Sequence, residues 1–295
     1  MLRRPDRALG AVLLASVALT SSAGPPEGAR LVGETPWTVE ATAFGGLSGL
    51  ELSADGRRFT AIGDRGLILS GTIARDDSGR IEDIETGPLR RLREADGQPV
   101  TGARLDSEGL AIGPAGTFVS FEGIPRILRL DEKDRGTPIE LSAEMKALEG
   151  NSGLEALAID LEGRLVALPE RSGRLTRPFP VWRLEGGSWR VVARIPRSGG
   201  FLVTGADIGP DGRLYVLERS FTVIGFRSRV RRFELTDEGA RAETLLLETG
   251  TGVHDNLEGI SAWQDADGAI RLTMVSDDNF NPLQRTEFVE YLVRD

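Results

Sequence analysis

Acidic side chains return at two fixed places in a motif that the chain repeats five times. The copies are Leu47-Ser48-Gly49-Leu50 with Asp55-Gly56 and Asp64; Ser107-Glu108-Gly109-Leu110 with Ala115-Gly116 and Glu122; Leu154-Glu155-Ala156-Leu157 with Glu162-Gly163 and Glu170; Val203-Thr204-Gly205-Ala206 with Asp211-Gly212 and Glu218; and Asn256-Leu257-Glu258-Gly259-Ile260 with Asp265-Ala266-Asp267-Gly268 and Asp277-Asp278. Aligned on the turn, Ser48, Glu108, Glu155, Thr204 and Glu258 form one column. Asp64, Glu122, Glu170, Glu218 and the pair Asp277-Asp278 form a second. The fifth copy aligns through Asp265 rather than Asp267, a slip of two residues. The two columns hold nine carboxylates. Brought together, such a set raises its own pKa values or demands a cation. A hard divalent ion that takes oxygen ligands, calcium first, would relieve the repulsion.

Glu108, Glu155 and Glu258 are the first candidate ligands, with Asp277 and Asp278 beside them, and Asn151, Asn256 and Asn279 could add carbonyl oxygens. A cation there would polarise a phosphoryl or acyl oxygen and acidify a bound water, leaving Asp64 or Glu108 as general base. Arg65, Arg171 and Arg219 each follow a second-column acid, and with Arg174 and Arg177 they offer guanidiniums to a small anionic or ester substrate. The same arginines could instead neutralise the acids as structural ion pairs, and Arg174 and Arg177 could lie on a solvated loop. His254, the only histidine, precedes the fifth motif and is a candidate base or ligand; the competing role is a loop histidine bonded to Asp255. No serine lies in a nucleophile elbow, so a serine triad is not expected.

The elements that must position these residues are strands. Each copy reads as a short apolar strand, a turn on Asp-Gly or a relative, and a second strand ending in an acid. First-column members stand 60, 47, 49 and 54 residues apart, room for four strands per unit as in a β-propeller blade. Further strands are expected at 66–74 and 81–89, 126–131 and 137–141, 181–184 and 189–195, 229–235 and 242–248, and 287–293. The fifth unit lacks a fourth strand, which residues 31–43 can supply, closing the ring and removing open edges. The expectation is an all-β propeller of five blades, or six if the long first unit merges two. Residues 141–148 allow a turn or two of helix. Phe118, Phe121, Trp182, Phe201, Phe233 and Trp263 read as packing between blades, while Phe221 and Phe280 follow strand-end acids and could line a ligand.

Composition narrows the function classes. The chain of 295 residues has a net charge of −9 and no cysteine. That excludes disulfides and thiolate chemistry and argues against a nucleic-acid surface. Residues 1–23 read as a signal peptide: Arg3, Arg4 and Arg7, then the apolar run 8–20, then Ser21-Ser22-Ala23. An uncleaved anchor is the alternative, and the arginine pair lacks the rest of a twin-arginine signal. With no cysteine after the run, no lipoprotein anchor is expected. Residues 24–295 would form the mature domain, periplasmic or secreted, without a stable membrane anchor.

The blocks Phe44-Gly45-Gly46-Leu47-Ser48-Gly49-Leu50, Ala61-Ile62-Gly63-Asp64-Arg65-Gly66, Asp106-Ser107-Glu108-Gly109-Leu110, Asn256-Leu257-Glu258-Gly259-Ile260 and Val275-Ser276-Asp277-Asp278-Asn279-Phe280 resemble the phytase-like ("esterase-like activity of phytase") family of secreted bacterial proteins. The resemblance implies a propeller and a hydrolase of ester or phosphoester bonds, and it transfers no catalytic residue set. The competing class is a non-catalytic propeller that binds a ligand or an envelope partner.

Overall fold

The computed structural model describes residues 28–148 and 153–294. Residues 1–23, read from the sequence as a signal peptide, and Asn151 lie outside the described residues. The regular secondary structure of the described residues is almost entirely strand, and no described helix is long and apolar enough to cross a membrane.

The strands are β1 (Ala29–Pro36), β2 (Leu47–Leu52), β3 (Arg58–Gly63), β4 (Leu67–Arg75), β5 (Ile81–Thr86), β6 (Arg90–Arg91), β7 (Ser107–Gly113), β8 (Gly116–Phe121), β9 (Arg126–Leu130), β10 (Gly136–Ile139), β11 (Ala156–Ile159), β12 (Leu165–Leu168), β13 (Phe179–Glu185), β14 (Ser188–Ile195), β15 (Leu202–Ile208), β16 (Leu214–Thr222), β17 (Gly225–Thr236), β18 (Gly239–Glu248), β19 (Asn256–Gln264), β20 (Ile270–Asp277) and β21 (Glu287–Val293). They build five antiparallel blades: β2–β5, β7–β10, β11–β14, β15–β18 and, last, β19-β20-β21-β1. The protein is a five-bladed β-propeller. The length of the first unit goes into β6, which pairs with β4, and a single 3-10 turn at Gly102–Arg104, not into a sixth blade.

Turn chemistry fixes each first hairpin. In blades 1, 3, 4 and 5 the fourth turn residue is a glycine (Gly56, Gly163, Gly212, Gly268) whose N–H donates back to the first residue's carbonyl (Ser53, Asp160, Gly209, Asp265). These glycines hold φ between 66° and 83°, the left-handed region where a side chain would be strained. The slip in the fifth copy is a longer strand: β19 has nine residues against seven in β15, and the same turn follows two residues later.

Burial follows the ring. Five apolar clusters form, one between each pair of neighbouring blades. Val203, Val216 and Phe233 of blade 4 meet Ala156, Val166 and Val181 of blade 3. All six aromatics expected between blades are buried. Trp37 joins the first and last blades, its ring 5.0 Å from Phe59 and 4.9 Å from Phe288. Closure itself is β1 on β21, from Ala29 opposite Val293 to Pro36 opposite Glu287. The only described α-helix is one turn, α1 (Ala143–Lys146), capped by the Ser142 hydroxyl, which accepts from the Met145 N–H.

Candidate metal centre at the propeller mouth

The innermost strand of every blade starts at the end of the ring where the second strand finishes, so both acidic columns reach one mouth. A local device aims the first column. The ladders between first and second strands slip by one residue between Leu47 and Gly49, Ser107 and Leu110, Val203 and Gly205, and Leu257 and Gly259. Ser48, Glu108, Thr204 and Glu258 therefore sit in β-bulges, which bend a strand and re-aim a side chain. Glu155 immediately precedes β11. The residue after each is small, because inner strands touch there: a Cβ on Gly205 would stand 2.5 Å from the Glu258 carbonyl oxygen. Below the acids, the axial cavity between the inner strands measures about 10 Å³, barely one water.

Glu108, Glu155 and Glu258 come together here, with one carboxylate oxygen of each within 4.8 Å of the others. Two further trios, Asp106-Glu108-Glu122 and Glu122-Glu155-Glu170, meet the same limit and extend the patch outward. At that spacing and a typical protein dielectric, each pair of like charges repels by about 3–4 kcal/mol. Glu108 is pushed well above the usual carboxylate range by burial, then by Glu155 and Glu258. Glu155 is raised in the same way by burial, Glu258 and Glu122. Glu258 is raised by burial although Arg219 and Asn256 act against it. At the rim, burial and the neighbouring Asp277 raise Asp64 to about 6, and burial and Glu258 raise Asp277 to about 7.

The fourth blade corrects the second column. In the inner hairpins the N–H groups of Asp64, Glu122 and Glu170 donate to Gly46, Asp106 and Gly153 at the start of the first strand. In blade 4 Glu218 is already one residue inside, opposite Val203. A shift of one residue in a strand reverses the face. Glu218 thus leaves the mouth and is fully buried against Arg229 and Arg231, each of which donates twice to it at 2.7–3.0 Å. Arg219 takes the mouth position. Its guanidinium pairs with Glu258, donates to the Asn256 side-chain oxygen at 2.7 Å and lies 3.7 Å from Glu170. Burial alone would lower its pKa, but Glu258, Glu155 and Glu170 outweigh burial and keep it charged.

The other expected site residues divide. Asp277 accepts from the Asn279 N–H at 2.6 Å and from the Asn256 side-chain amide at 3.3 Å. Asn256 therefore spends its carbonyl oxygen on Arg219 and turns its amide nitrogen to the acids. Asp278 accepts from the Gly46 and Phe280 N–H groups, both at 3.0 Å, and clamps the first and last blades together. Arg65 stacks on Phe280, 3.4 Å from the ring centre, and Arg171 bridges to Glu170 at 2.7 Å. Arg174 and Arg177 are exposed and have no ion pair among the described residues.

His254 is not at the acids. Its ring is buried between the Tyr291 hydroxyl and Glu34, each at 2.7 Å, and it ties the loop before β19 to the closing strand. Burial lowers its pKa despite Glu34. Neither partner is Asp255, and neither belongs to the acidic patch, so the general-base assignment for His254 does not fit its surroundings.

Three acids escaped the sequence reading. Asp106 lies at the mouth two residues before Glu108, brought there by its positive φ of 85° and the bulge that follows. Glu51 and Asp207 lie further along the inner strands and accept N–H groups of the neighbouring blade, from Ile112 at 3.2 Å and Ala262 at 2.7 Å. Innermost strands are sheet edges facing the axis, and these side chains satisfy their unpaired donors. The Ser48, Thr204 and Ser261 hydroxyls make similar links, to Ser107, Leu257 and Leu52.

An all-β ring with a mouth of crowded oxygen donors and one deep arginine defines the class: a five-bladed propeller with a candidate centre for a hard cation. The chain belongs to the Phytase-like family, described as "Esterase-like activity of phytase", whose sequence model matches residues 42–280. No curated protein matches the sequence. Similar solved structures include a protein of unknown function from Dyadobacter fermentans DSM 18053, with 12% identity over 90% of this chain and 100% of that one and a TM-score of 0.44. A glucose dehydrogenase has 15% identity over 85% and 82%, TM-score 0.42. The RRP9 WD40 repeats have 11% identity over 92% and 99%, TM-score 0.44. These are general propeller likenesses, too distant to bear on the site.

Proposed function

We propose that the protein is an exported, metal-assisted hydrolase that cleaves an ester or phosphoester bond of a small anionic substrate at the propeller mouth. The observation that carries this reading is the convergence of Glu108, Glu155 and Glu258 within 4.8 Å. The donor set fits a hard divalent cation, with calcium foremost: it is all oxygen, and among the described residues Arg219 is its one close cation. Asp64 Oδ1 and Glu122 Oε1, both buried, have no hydrogen-bond partner there either. When bound, the ion supplies Lewis acidity toward a phosphoryl or acyl oxygen.

The chain's own groups do the rest. Glu108, Glu155 and Glu258 would hold the ion, and Asp277, braced by Asn256 and Asn279, stands ready as a further oxygen donor. Asp64, at about 6, is ionised at neutral pH yet basic enough to take a proton from an attacking water. Arg65 and Arg171, on the rim, orient an anionic group. Asp106, Asn279 and Phe280 hold φ of 85°, 48° and 50° around this mouth, backbone strain of the kind that collects at functional sites.

The test is calcium titration by calorimetry together with turnover of a generic phosphomonoester and a generic acyl ester. Binding and turnover should both vanish in E108Q/E155Q/E258Q; turnover that persists in that variant overturns the site. The second reading, a non-catalytic binding propeller, is favoured by the sequestration of the single histidine. It predicts calcium binding without turnover of either ester.

A further inference from the structure

The two ends of the ring differ in what their connections expose. At the end opposite the mouth, first and second strands are joined by the tight polar turns around Gly56, Gly116, Gly163, Gly212 and Gly268, and among large apolar residues only Leu161 is exposed in them. At the mouth, the connections between second and third strands behave otherwise. Four of the five carry exposed aliphatic side chains: Ile124 in blade 2, Leu175 in blade 3, Val223 and Ile224 in blade 4, and Leu283 in blade 5. Val223 and Ile224 are the two turn residues of a hairpin whose ladder runs out to Thr222 opposite Gly225, and they are 99% and 83% exposed. Phe221 beside them is 70% exposed and Leu283 is 92% exposed.

Solvent-facing turn tips favour short polar residues, and here the positive φ of the turn falls on Gly225 (137°), so the backbone leaves the choice of side chain at Val223 and Ile224 open. Val-Ile at a tip has no packing role at that exposure and needs another account. The tips belong to separate connections around the axis, so they form a discontinuous crown. A rigid protein interface needs a continuous complementary patch at its centre; a fluid lipid surface accepts separate tips. The outermost charges on the same rim suit lipid phosphates, because Arg174 and Arg177 are exposed while the rim acids Asp64, Asp277 and Asp278 are half-buried. Arg174 and Arg177 flank Leu175 in one connection, exposed and without an ion pair among the described residues, whereas Glu108, Glu155 and Glu258 lie recessed and buried below. Apolar tips beside guanidiniums are the make-up of a surface that enters the headgroup layer of a bilayer.

We propose that the mouth face docks on a phospholipid surface, with Val223, Ile224, Leu283 and Leu175 entering the interface and Arg174 and Arg177 meeting phosphates. The docking is independent of whether the mouth is catalytic. It is reversible and peripheral, since the tips offer only a few side chains.

The experiment is co-sedimentation of the full-length mature protein with phosphatidylcholine vesicles, with and without phosphatidylglycerol. Wild type should partition onto both and prefer the anionic ones. V223S/I224S/L283S should lose binding by on the order of tenfold or more, as expected when several buried methylenes are removed from an interface. R174Q/R177Q should keep binding to neutral vesicles and lose the anionic preference. Leu161→Ser, at the opposite end, should change nothing, and circular dichroism melts verify that every variant is folded. Absence of wild-type binding to either vesicle overturns the proposal, as does binding that survives the tip variant or falls equally with Leu161→Ser. Concentration-dependent self-association that the tip variant abolishes, without vesicle binding, would assign the crown to a protein contact and equally overturn it.

Discussion

Glu218 and Glu108 are buried glutamates of one ring, and their surroundings are opposite. Glu218 sits in the interior of blade 4 with two arginines, each donating twice. Glu108 sits at the mouth with Glu155, Glu258, Asp106 and Glu122 for neighbours, and no described side chain donates to it. The first arrangement is complete in the protein alone: the charge is compensated, and its cost has already been met by fixed partners. The second is incomplete, and protons or a cation must finish it. The same residue type is therefore structural in one place and available for chemistry in the other. What separates them is one residue of strand register together with the bulges that aim the mouth column.

The contrast can be broken most decisively from the paired side. Glu218→Ala leaves Arg229 buried without a counter-ion and Arg231 with Glu243 as its one remaining acid, and should cost about 3–5 kcal/mol in urea unfolding. A loss near zero would show that the two regions do not differ as described. On the unpaired side, saturating calcium at roughly a hundredfold over its dissociation constant should stabilise the wild type by about 2.7 kcal/mol. E108Q/E155Q/E258Q should show no calcium-dependent change in Tm, while Glu218→Gln should keep whatever change its remaining stability permits.

The pH dependence sharpens the same point. Asp64 and Asp277 titrate at about 6 and about 7 in the fold, against an ordinary 3.8. Across that range the folded protein binds more protons than the unfolded chain, so stability falls as pH rises from about 4 to about 7. The metal-free protein should therefore melt higher at about pH 5 than at about pH 8, and calcium should abolish the difference. A Tm that rises steadily over this interval without metal would contradict the crowding. Asp131, held at about 2 by the Arg135 side chain and by backbone N–H groups, acts in the other direction only below that window. In the same vein, Glu108→Gln should raise the Tm of the metal-free protein at about pH 8, because the neutral amide removes the repulsion from Glu155 and Glu258. The smallest effect is at Thr204, the first-column residue that carries no charge. Thr204→Val removes one hydroxyl bond to the Leu257 carbonyl and should cost about 1 kcal/mol with calcium binding unchanged.

Much of this was written in local pattern. Asp-Gly turns between alternating apolar runs announce hairpins because glycine accepts the left-handed torsion, and their recurrence announces blades. The strands expected at 126–131, 189–195 and 287–293 lie within a residue or so of β9, β14 and β21. The use of an early strand to close the last blade followed from a missing fourth strand, although β1 runs over 29–36 rather than 31–43. Glu108, Glu155 and Glu258 could be placed at one mouth because a repeated unit puts equivalent residues at equivalent positions about an axis.

Alternation along a strand has a period of two, so a slip of one residue that is invisible in an alignment sends a side chain to the opposite face. That is why Glu218 aligns with the mouth acids yet lies inside the blade, while Arg219 beside it reaches Glu258 and Glu170. Bulges leave no compositional mark of their own, and the partners of His254, Glu34 and Tyr291, lie 220 and 37 residues away along the chain. The residues themselves determined the strands, the turns and the stock of acids. Which acids face one another and which face arginines was decided only by closing the ring, because electrostatic energy depends on separations that the order of residues does not contain.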